Sequence, residues 1–348
     1  MVTMDQTNFP LLLLLTAGIG DLVLGSMGLR AIRNGFPAAE IHLMTSLEAA
    51  AIARHYPYVD RVWAFPIRQF RQSKKVFAKT VKALLPLRAY RFEKIINLYQ
   101  VASIGGALSM GAVFSLLRSP CKIGHDRHGF GHFLDEKVPE NFFQDRHMAD
   151  SILDLACRAG GKPDQGGIEV FPPGSIDPDL KRMLDFAPEN SGLKTIAINP
   201  GSDAVEKRTD PVIFSSAVNR LSAWIPVKTI ILGGPGEEEI ASKIFQDLQT
   251  PAINLAGKTS LEALVYVLDQ VDLVICNDSG PMHIAAALKK PLVALFRGGN
   301  PNMFGPYGDS SRFRTITADP AAGFKCRQFQ ETLDAKVAAV SHSLLTAR

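Results

Sequence analysis

Apolar residues occur in short unbroken runs separated by stretches with helical spacing. In the first half the runs are "LLLLL" (11–15), "IHLMT" (41–45), "RVWAF" (61–65) and "KIINL" (94–98). In the second they are "TIAIN" (195–199), "KTIILGG" (228–234), "PAINLAG" (251–257), "DLVICN" (272–277), "PLVALF" (291–296) and "FRTITA" (313–318). Short apolar runs closed by glycine or a polar residue read as strands buried on both faces. Amphipathic stretches at 22–34, 46–54, 100–117, 211–222, 236–248, 260–270 and 280–288 read as the helices between them. A last helix carries Leu333, Val337, Val340 and Leu344 on one side.

Strand–helix alternation predicts an α/β protein with parallel sheets covered on both faces. The stretch "GGKPDQGGIEVFPPGSIDPDL", 160–180, is rich in Gly, Pro and Asp and reads as a linker. The expected organisation is a domain over 1–165, a linker over 166–180, a second domain over 181–325 and a terminal helix over 326–348. Two doubly wound domains would face a cleft at the carboxyl ends of their strands, where ligands bind in such folds.

The five leucines admit a competing reading as the apolar part of a secretion signal. Such a signal needs a basic leader, and "MVTMDQTNFP" carries one acid and no Lys or Arg. Asp21 interrupts the stretch that follows, and no run approaches the roughly 20 apolar residues of a membrane span. The run is therefore expected to be the first strand of a cytoplasmic protein. Four widely spaced cysteines, Cys121, Cys157, Cys276 and Cys326, read as reduced thiols.

At 348 residues, 46% hydrophobic and 21% charged, the chain has the composition of a globular protein with ample core. Its net charge of +4 implies no nucleic acid partner, but the charge is uneven. Arg61, Arg68, Arg71, Lys74, Lys75, Lys79, Lys82, Arg88, Arg91 and Lys94 share their segment with one acid, Glu93. This is either the solvated face of a helix over about 73–90, with Val76, Phe77, Val81, Leu84 and Leu85 inward, or a surface for anionic lipid or a phosphorylated acceptor.

Candidate chemistry sits at the strand ends. "NDSGPMHIAAAL", 277–288, follows an apolar run and opens a helix. Asn277 or Asp278 can cap it, leaving the Ser279 and Gly280 amides as an anion site, with His283 one turn in; the alternative is a capped helix without ligand. "GGPGEEE", 233–239, places acids in a first turn, either to accept from ribose hydroxyls or to offset the helix dipole. In "NPGSDAVEKRTDP", 199–211, Lys207 and Arg208 can reach a diphosphate or lie on the loop surface.

Four patterns mislead. "AGKTS", 256–260, lacks the first P-loop glycine, because Ala252 stands there. "GIGDLVLG" is not a dinucleotide fingerprint, because Val23 replaces the third glycine. "CKIGHDRHGFGH" offers Cys121, His125, His128 and His132 to zinc, although its glycines favour a polar loop. "DPD", 177–179, lies in the linker rather than at a strand end, so no metal site is expected there.

In order along the chain, "GIGDLVLGSMGLRAIRNGFPAAEIHLMTS", "YPYVDRVWAF", "INPGSDAVEKR", "ILGGPGEEE", "LAGKTSLEAL", "VICNDSGPMHIAAAL" and "FGPYG" resemble glycosyltransferase family 9, the ADP-heptose:lipopolysaccharide heptosyltransferases. The resemblance spans about 11–308 and implies a GT-B fold of two Rossmann-like domains, with the last helix returning to the first. It implies an inverting transferase with Asp21 as general base and Lys207 on the diphosphate. Glu237 would bind ribose, Lys258 and Thr259 the adenine pocket, and Asp278, Ser279, Gly280 and His283 the donor's phosphate and sugar. Gly20, Arg68, Arg71, Lys74 and Lys75 are the acceptor-side candidates.

An Asp, with a reference pKa of about 3.9, is ionised at neutral pH and ready to accept a proton. A helix N-terminus and a lysine can stabilise departing ADP, so no metal or other cofactor is required beyond the ADP-sugar donor. The implied acceptor is a lipid-linked glycan at the inner face of the cytoplasmic membrane, with peripheral contact to anionic lipid. A nucleotide-sugar epimerase or hydrolase and a non-catalytic nucleotide- or glycan-binding protein are the alternatives on the same fold. Three places depart from the family pattern: Leu15 stands where members often carry a base, the loop "FRGGNP", 296–301, carries Arg297 and two glycines, and the tail lacks a strong C-terminal acceptor signature.

Overall fold

The computed structural model describes residues 9–66, 82, 84–139, 146–185, 192–317 and 327–347, the last segment with side chains from Leu333. The stretch holding Arg68, Arg71, Lys74 and Lys75 lies outside the described residues. The chain divides into two units, Met1–Ile168 and Glu169–Arg348.

The first unit is built on strands β1 (Pro10–Leu15), β2 (Glu40–Ser46), β3 (Arg61–Phe65), β4 (Lys94–Asn97), β5 (Lys122–Asp126) and β6 (Glu136–Pro139). They form one parallel sheet in the order β3-β2-β1-β4-β5-β6. The five leucines are its centre. Leu13 pairs in register with Leu43 on one side and Ile96 on the other. All five are fully buried, each contributing roughly 1.5–3 kcal/mol of transfer free energy. Among the described residues the unit has helices α1 (Ile19–Leu24), α2 (Ser26–Gly35), α3 (Ala50–Ala53), α4 (Ile104–Leu116) and α5 (Met148–Arg158).

Two features differ from the pattern-based expectation. The segment "KIGHD" is strand β5 rather than a polar loop, with His125 buried in it. The zinc candidates are dispersed accordingly: Cys121 bonds Glu136, and His132 faces Gly111 of α4. Among the described residues no group of His, Cys, Asp and Glu is placed to hold a metal ion. At the end of the basic segment Leu84 is buried but Leu85 is exposed, because Leu85–Ala89 tightens into a 3-10 turn around Pro86.

The second unit repeats the plan with β7 (Lys194–Asn199), β8 (Val227–Ile231), β9 (Ala252–Asn254), β10 (Leu273–Asn277), β11 (Leu292–Phe296) and β12 (Phe313–Thr317). Their order is β12-β11-β10-β7-β8-β9, again parallel. The helices are α6 (Pro178–Leu184), α7 (Pro211–Ser222), α8 (Glu238–Asp247), α9 (Leu261–Gln270), α10 (Gly280–Ala287), α11 (Pro301–Phe304) and α12 (Arg327–Thr346). "DPD" starts α6 inside the expected linker: Asp177 accepts from the Asp179 amide at 2.7 Å, and Pro178 occupies the first turn.

The terminal helix packs on the second unit. Leu333, Val337, Ala338 and Leu344 of α12 are buried in one core with Phe214, Val218 and Leu221 of α7, and Arg220 pairs with Asp334 at 3.1 Å. Its apolar stripe is committed to the second unit, where it meets the apolar face of α7. No helix among the described residues is long and apolar enough to cross a membrane.

Candidate functional site

In doubly wound sheets ligands collect at the carboxyl edge, where the strand order reverses. That point lies between β1 and β4 in the first sheet and between β7 and β10 in the second. Asp21, Lys207, Asp278 and Ser279 follow the strands that flank these two points.

In the first unit the chain leaves β1 and turns at Gly18 into α1, whose first turn holds Gly20 and Asp21. The Gly18 amide donates to Oδ2 of Asp21 at 2.9 Å, which fixes the carboxylate against the turn. A second donor arrives from the far side of the reversal: the Tyr99 hydroxyl, just beyond β4, hydrogen-bonds the Asp21 carboxylate. Burial first, and then the Asp21 charge, push the Tyr99 hydroxyl well above the ordinary phenol range, so it stays a donor. Arg127, beyond β5, acts in the opposite direction on Tyr99 and donates to Gln100 Oε1 at 3.1 Å. Tyr99 and Arg127 carry no sequence signal, because their nearness to Asp21 depends on strand order.

In the second unit the loop after β7 and the turn after β10 are stitched together. Asn277 donates to the Pro200 carbonyl at 2.6 Å and accepts from the Thr209 amide at 3.2 Å. The Ser202 hydroxyl donates to the Asp278 carbonyl at 3.0 Å. Lys207 Nζ meets Asp278 Oδ2 at 2.6 Å, with Asp278 buried and Lys207 partly open. Asn277 and Asp278 therefore do not cap α10, since both side chains are committed to the 199–209 loop. Ser279 is the N-cap residue, and its hydroxyl instead donates to the Asn277 carbonyl at 3.2 Å. Gly280 opens the helix, and His283 is buried one turn in.

Glu237 joins the same loop from β8. Its carboxylate accepts from the Gly234 amide at 2.8 Å and lies 3.7 Å from the Arg208 guanidinium. Arg208 in turn donates through Nε and Nη2 to the Ser202 carbonyl at 2.9 and 2.8 Å. A Cβ at Gly201 would stand 2.0 Å from both Glu237 carboxylate oxygens, so the carboxylate keeps this place only while residue 201 has no side chain. Lys207, Arg208, Glu237, Asp278 and Ser279 are thus one connected cluster.

Lys258 and Thr259 follow β9 on a turn tied to the Glu237 turn by the Gly257 amide, which donates to the Gly233 carbonyl at 2.9 Å. Lys258 bonds the Asn254 carbonyl at 3.1 Å and lines a cavity of about 630 Å³. The other wall of that cavity is Pro173, Ile176, Leu180 and Met183, the first three in the stretch that the sequence pattern assigns to a linker.

The model of "Glycosyltransferase family 9 (heptosyltransferase)" matches residues 85–332. The chain is 35% identical over 293 residues to lipooligosaccharide heptosyltransferase 2 of Campylobacter jejuni, covering 80% of this chain and 77% of that protein. The crystal structure of a family 9 glycosyltransferase from Veillonella parvula superposes with a TM-score of 0.79 at 19% identity, over 99% of this chain and 98% of that one. The E. coli heptosyltransferase WaaC with ADP superposes at 0.70 and 19% identity, over 93% and 100%. The fold is GT-B, with two Rossmann-like domains, and the chain belongs to glycosyltransferase family 9, the heptosyltransferase family.

Proposed function

We propose that this enzyme transfers heptose from ADP-heptose to a lipopolysaccharide core acceptor, with inversion at the anomeric carbon and Asp21 as general base. The observation that carries the reading is the cluster at the α10 N-terminus, where Lys207, the Ser279 and Gly280 segment and Glu237 converge at a sheet reversal point. The likeness of the whole chain to WaaC, a heptosyltransferase solved with ADP, supports a nucleoside diphosphate as part of the donor.

In the proposed reaction the acceptor hydroxyl gives its proton to the Asp21 carboxylate as its oxygen attacks the anomeric carbon. The bond from that carbon to the β-phosphate oxygen breaks, and ADP leaves with the electron pair. Lys207 and the positive end of α10 stabilise the charge developing on the leaving phosphate. Glu237 accepts from the ribose hydroxyls. The cavity beside Lys258, with its apolar wall of Ile176, Leu180 and Met183, receives the adenine. Gly18 and Tyr99 hold Asp21 still, so the base needs no rearrangement to meet the hydroxyl. The acceptor is lipid-linked, and the work is done at the inner face of the cytoplasmic membrane, with the basic segment 61–94 toward anionic lipid or acceptor phosphates.

The test is an ADP-heptose transfer assay on the wild type and Asp21→Asn, with ADP affinity measured alongside. Turnover in Asp21→Asn should fall by about 10²–10⁴, the range expected of a general base, while ADP binding is unchanged. Retention of more than a tenth of wild-type turnover would remove Asp21 from the role of base.

A further inference from the structure

Arg297 is the first residue after β11 and stands beside the α10 N-terminus. Strand register sets this: Asn277, the last residue of β10, pairs with Leu295, two residues before Arg297. The side chain does not stay on its own strand. Its Nη1 donates to the Arg208 carbonyl at 3.0 Å, on the loop that follows β7. Because β10 lies between β11 and β7, that contact carries the guanidinium across the Asp278–Ser279 turn.

The loop behind Arg297 is built for close approach. Gly298 and Gly299 hold φ values of +98° and +79°, which side-chain-bearing residues rarely adopt, and a Cβ on Gly299 would come within 3.3 Å of Asp278 Oδ2. Asn300 then caps α11 by accepting from the Asn302 amide at 3.0 Å. Arg297 is therefore fixed at both ends, by the glycine turn and by the Arg208 carbonyl. With it the cluster holds three cations, Lys207, Arg208 and Arg297, against two carboxylates, Asp278 and Glu237. Those five side chains carry a formal surplus of one positive charge.

Resting on the ADP-sugar reading above, we propose that Arg297 is a phosphate-binding residue of the donor site. It grips the terminal phosphate of the nucleoside diphosphate and so sets the preference of this enzyme for diphosphate over monophosphate. A guanidinium presents its donors as a planar fork that matches two phosphate oxygens, and pinning one nitrogen to a carbonyl fixes the plane of that fork. Lys207, a point charge already paired with Asp278, supplies charge without that geometry.

The test is calorimetric titration of ADP and of AMP into the wild type, Arg297→Ala and Arg297→Lys, with thermal melting to verify that each variant is folded. Arg297→Ala should weaken ADP by tenfold or more and AMP by less than threefold, collapsing the ADP/AMP ratio, and Arg297→Lys should fall between. If ADP and AMP weaken by the same factor, Arg297 acts through the loop or the nucleoside, and the proposal is wrong. Equal ADP affinity in wild type and Arg297→Ala overturns the proposal and leaves the donor reading intact. A wild type that does not bind ADP at all overturns both.

Discussion

Lys207 Nζ stands 2.6 Å from Oδ2 of Asp278, and the bond joins the loop after β7 to the turn that opens α10. The lysine is thus held at the helix N-terminus before any donor arrives, at the cost of sharing its charge with a carboxylate. A leaving diphosphate competes for that charge, and the helix end adds its own positive potential. Lys207→Ala should lower kcat/KM by about 10²–10³, the loss typical of removing one charge-stabilising donor. Steady-state kinetics with ADP-heptose decide it, and an effect below threefold would show that the pair serves only to tie the loop to α10.

Tyr99 offers a test of whether the Asp21 site works as a unit. Its hydroxyl stays protonated because burial and the Asp21 charge both oppose ionisation. Tyr99→Phe removes one of the donors that orient the carboxylate, and kcat should drop about tenfold with donor KM unchanged. In an Asp21→Asn background the same substitution should cost almost nothing further, since residues in one network are not additive. Independent, additive losses in the four-protein cycle would refute the coupling.

Gly201→Ala should reproduce Glu237→Ala. The added methyl would lie 2.0 Å from the Glu237 oxygens, so the carboxylate must leave its place beside Gly234 and Arg208. Both variants should bind ADP at least tenfold more weakly, as expected when a charged hydrogen-bond partner of the ligand is lost or displaced. Normal ADP affinity in Gly201→Ala, beside a weakened Glu237→Ala, would mean that Glu237 binds from another position.

The parts of this site that sequence exposes are those set by local pattern. An apolar run followed by a polar turn locates Asp21, Glu237 and Asp278 at strand ends, because a parallel strand buried on both faces must be apolar throughout. Partners set by strand order are silent. Tyr99 reaches Asp21 only because β4 lies next to β1, and Asn277 reaches Thr209 only because β10 lies next to β7. β5 is hidden by Gly124 and His125, which break its apolar run although both are buried. The stripe on α12 is legible as apolar, but its spacing alone does not say which domain it covers.

The docking of α12 can be tested through Val337, which is fully buried among residues of α7 and the second sheet. Val337→Ala leaves a small void and should destabilise the second unit by about 1–3 kcal/mol, in the lower part of the range for large-to-small core changes. Val337→Asp buries an unpaired carboxylate and should prevent that unit from folding. Limited proteolysis followed by mass spectrometry reads this directly. Cleavage should spread through 169–348 before it appears in 9–66. Equal protection of both units in Val337→Asp would mean that α12 is not part of the second core.

His125 gives the first unit a dependence on pH. Burial, and secondarily the charge of Arg158, bring its pKa in the folded protein down to about 3, against about 6.5 for an exposed imidazole. Below pH 6.5 the unfolded chain therefore takes up a proton that the native protein refuses. Stability must fall as the pH drops from 6.5 toward 3, and is fully present only above 6.5. Once the unfolded imidazole is charged, the slope from this one group approaches roughly 1.4 kcal/mol per pH unit. His42 shifts in the same direction, because its burial outweighs the attraction of Glu40, and it adds to the wild-type slope. Replacing His125 by Gln removes one of these two contributions and leaves the other. Urea unfolding at pH 7, 6, 5 and 4, followed through the single tryptophan of the first unit, Trp63, should give a shallower decline for His125→Gln than for Trp224→Phe protein with His125 intact, provided both carry the Trp224→Phe change. Parallel curves would show that His125 takes up its proton in the native protein as readily as in the unfolded chain, and that it contributes nothing to the pH dependence.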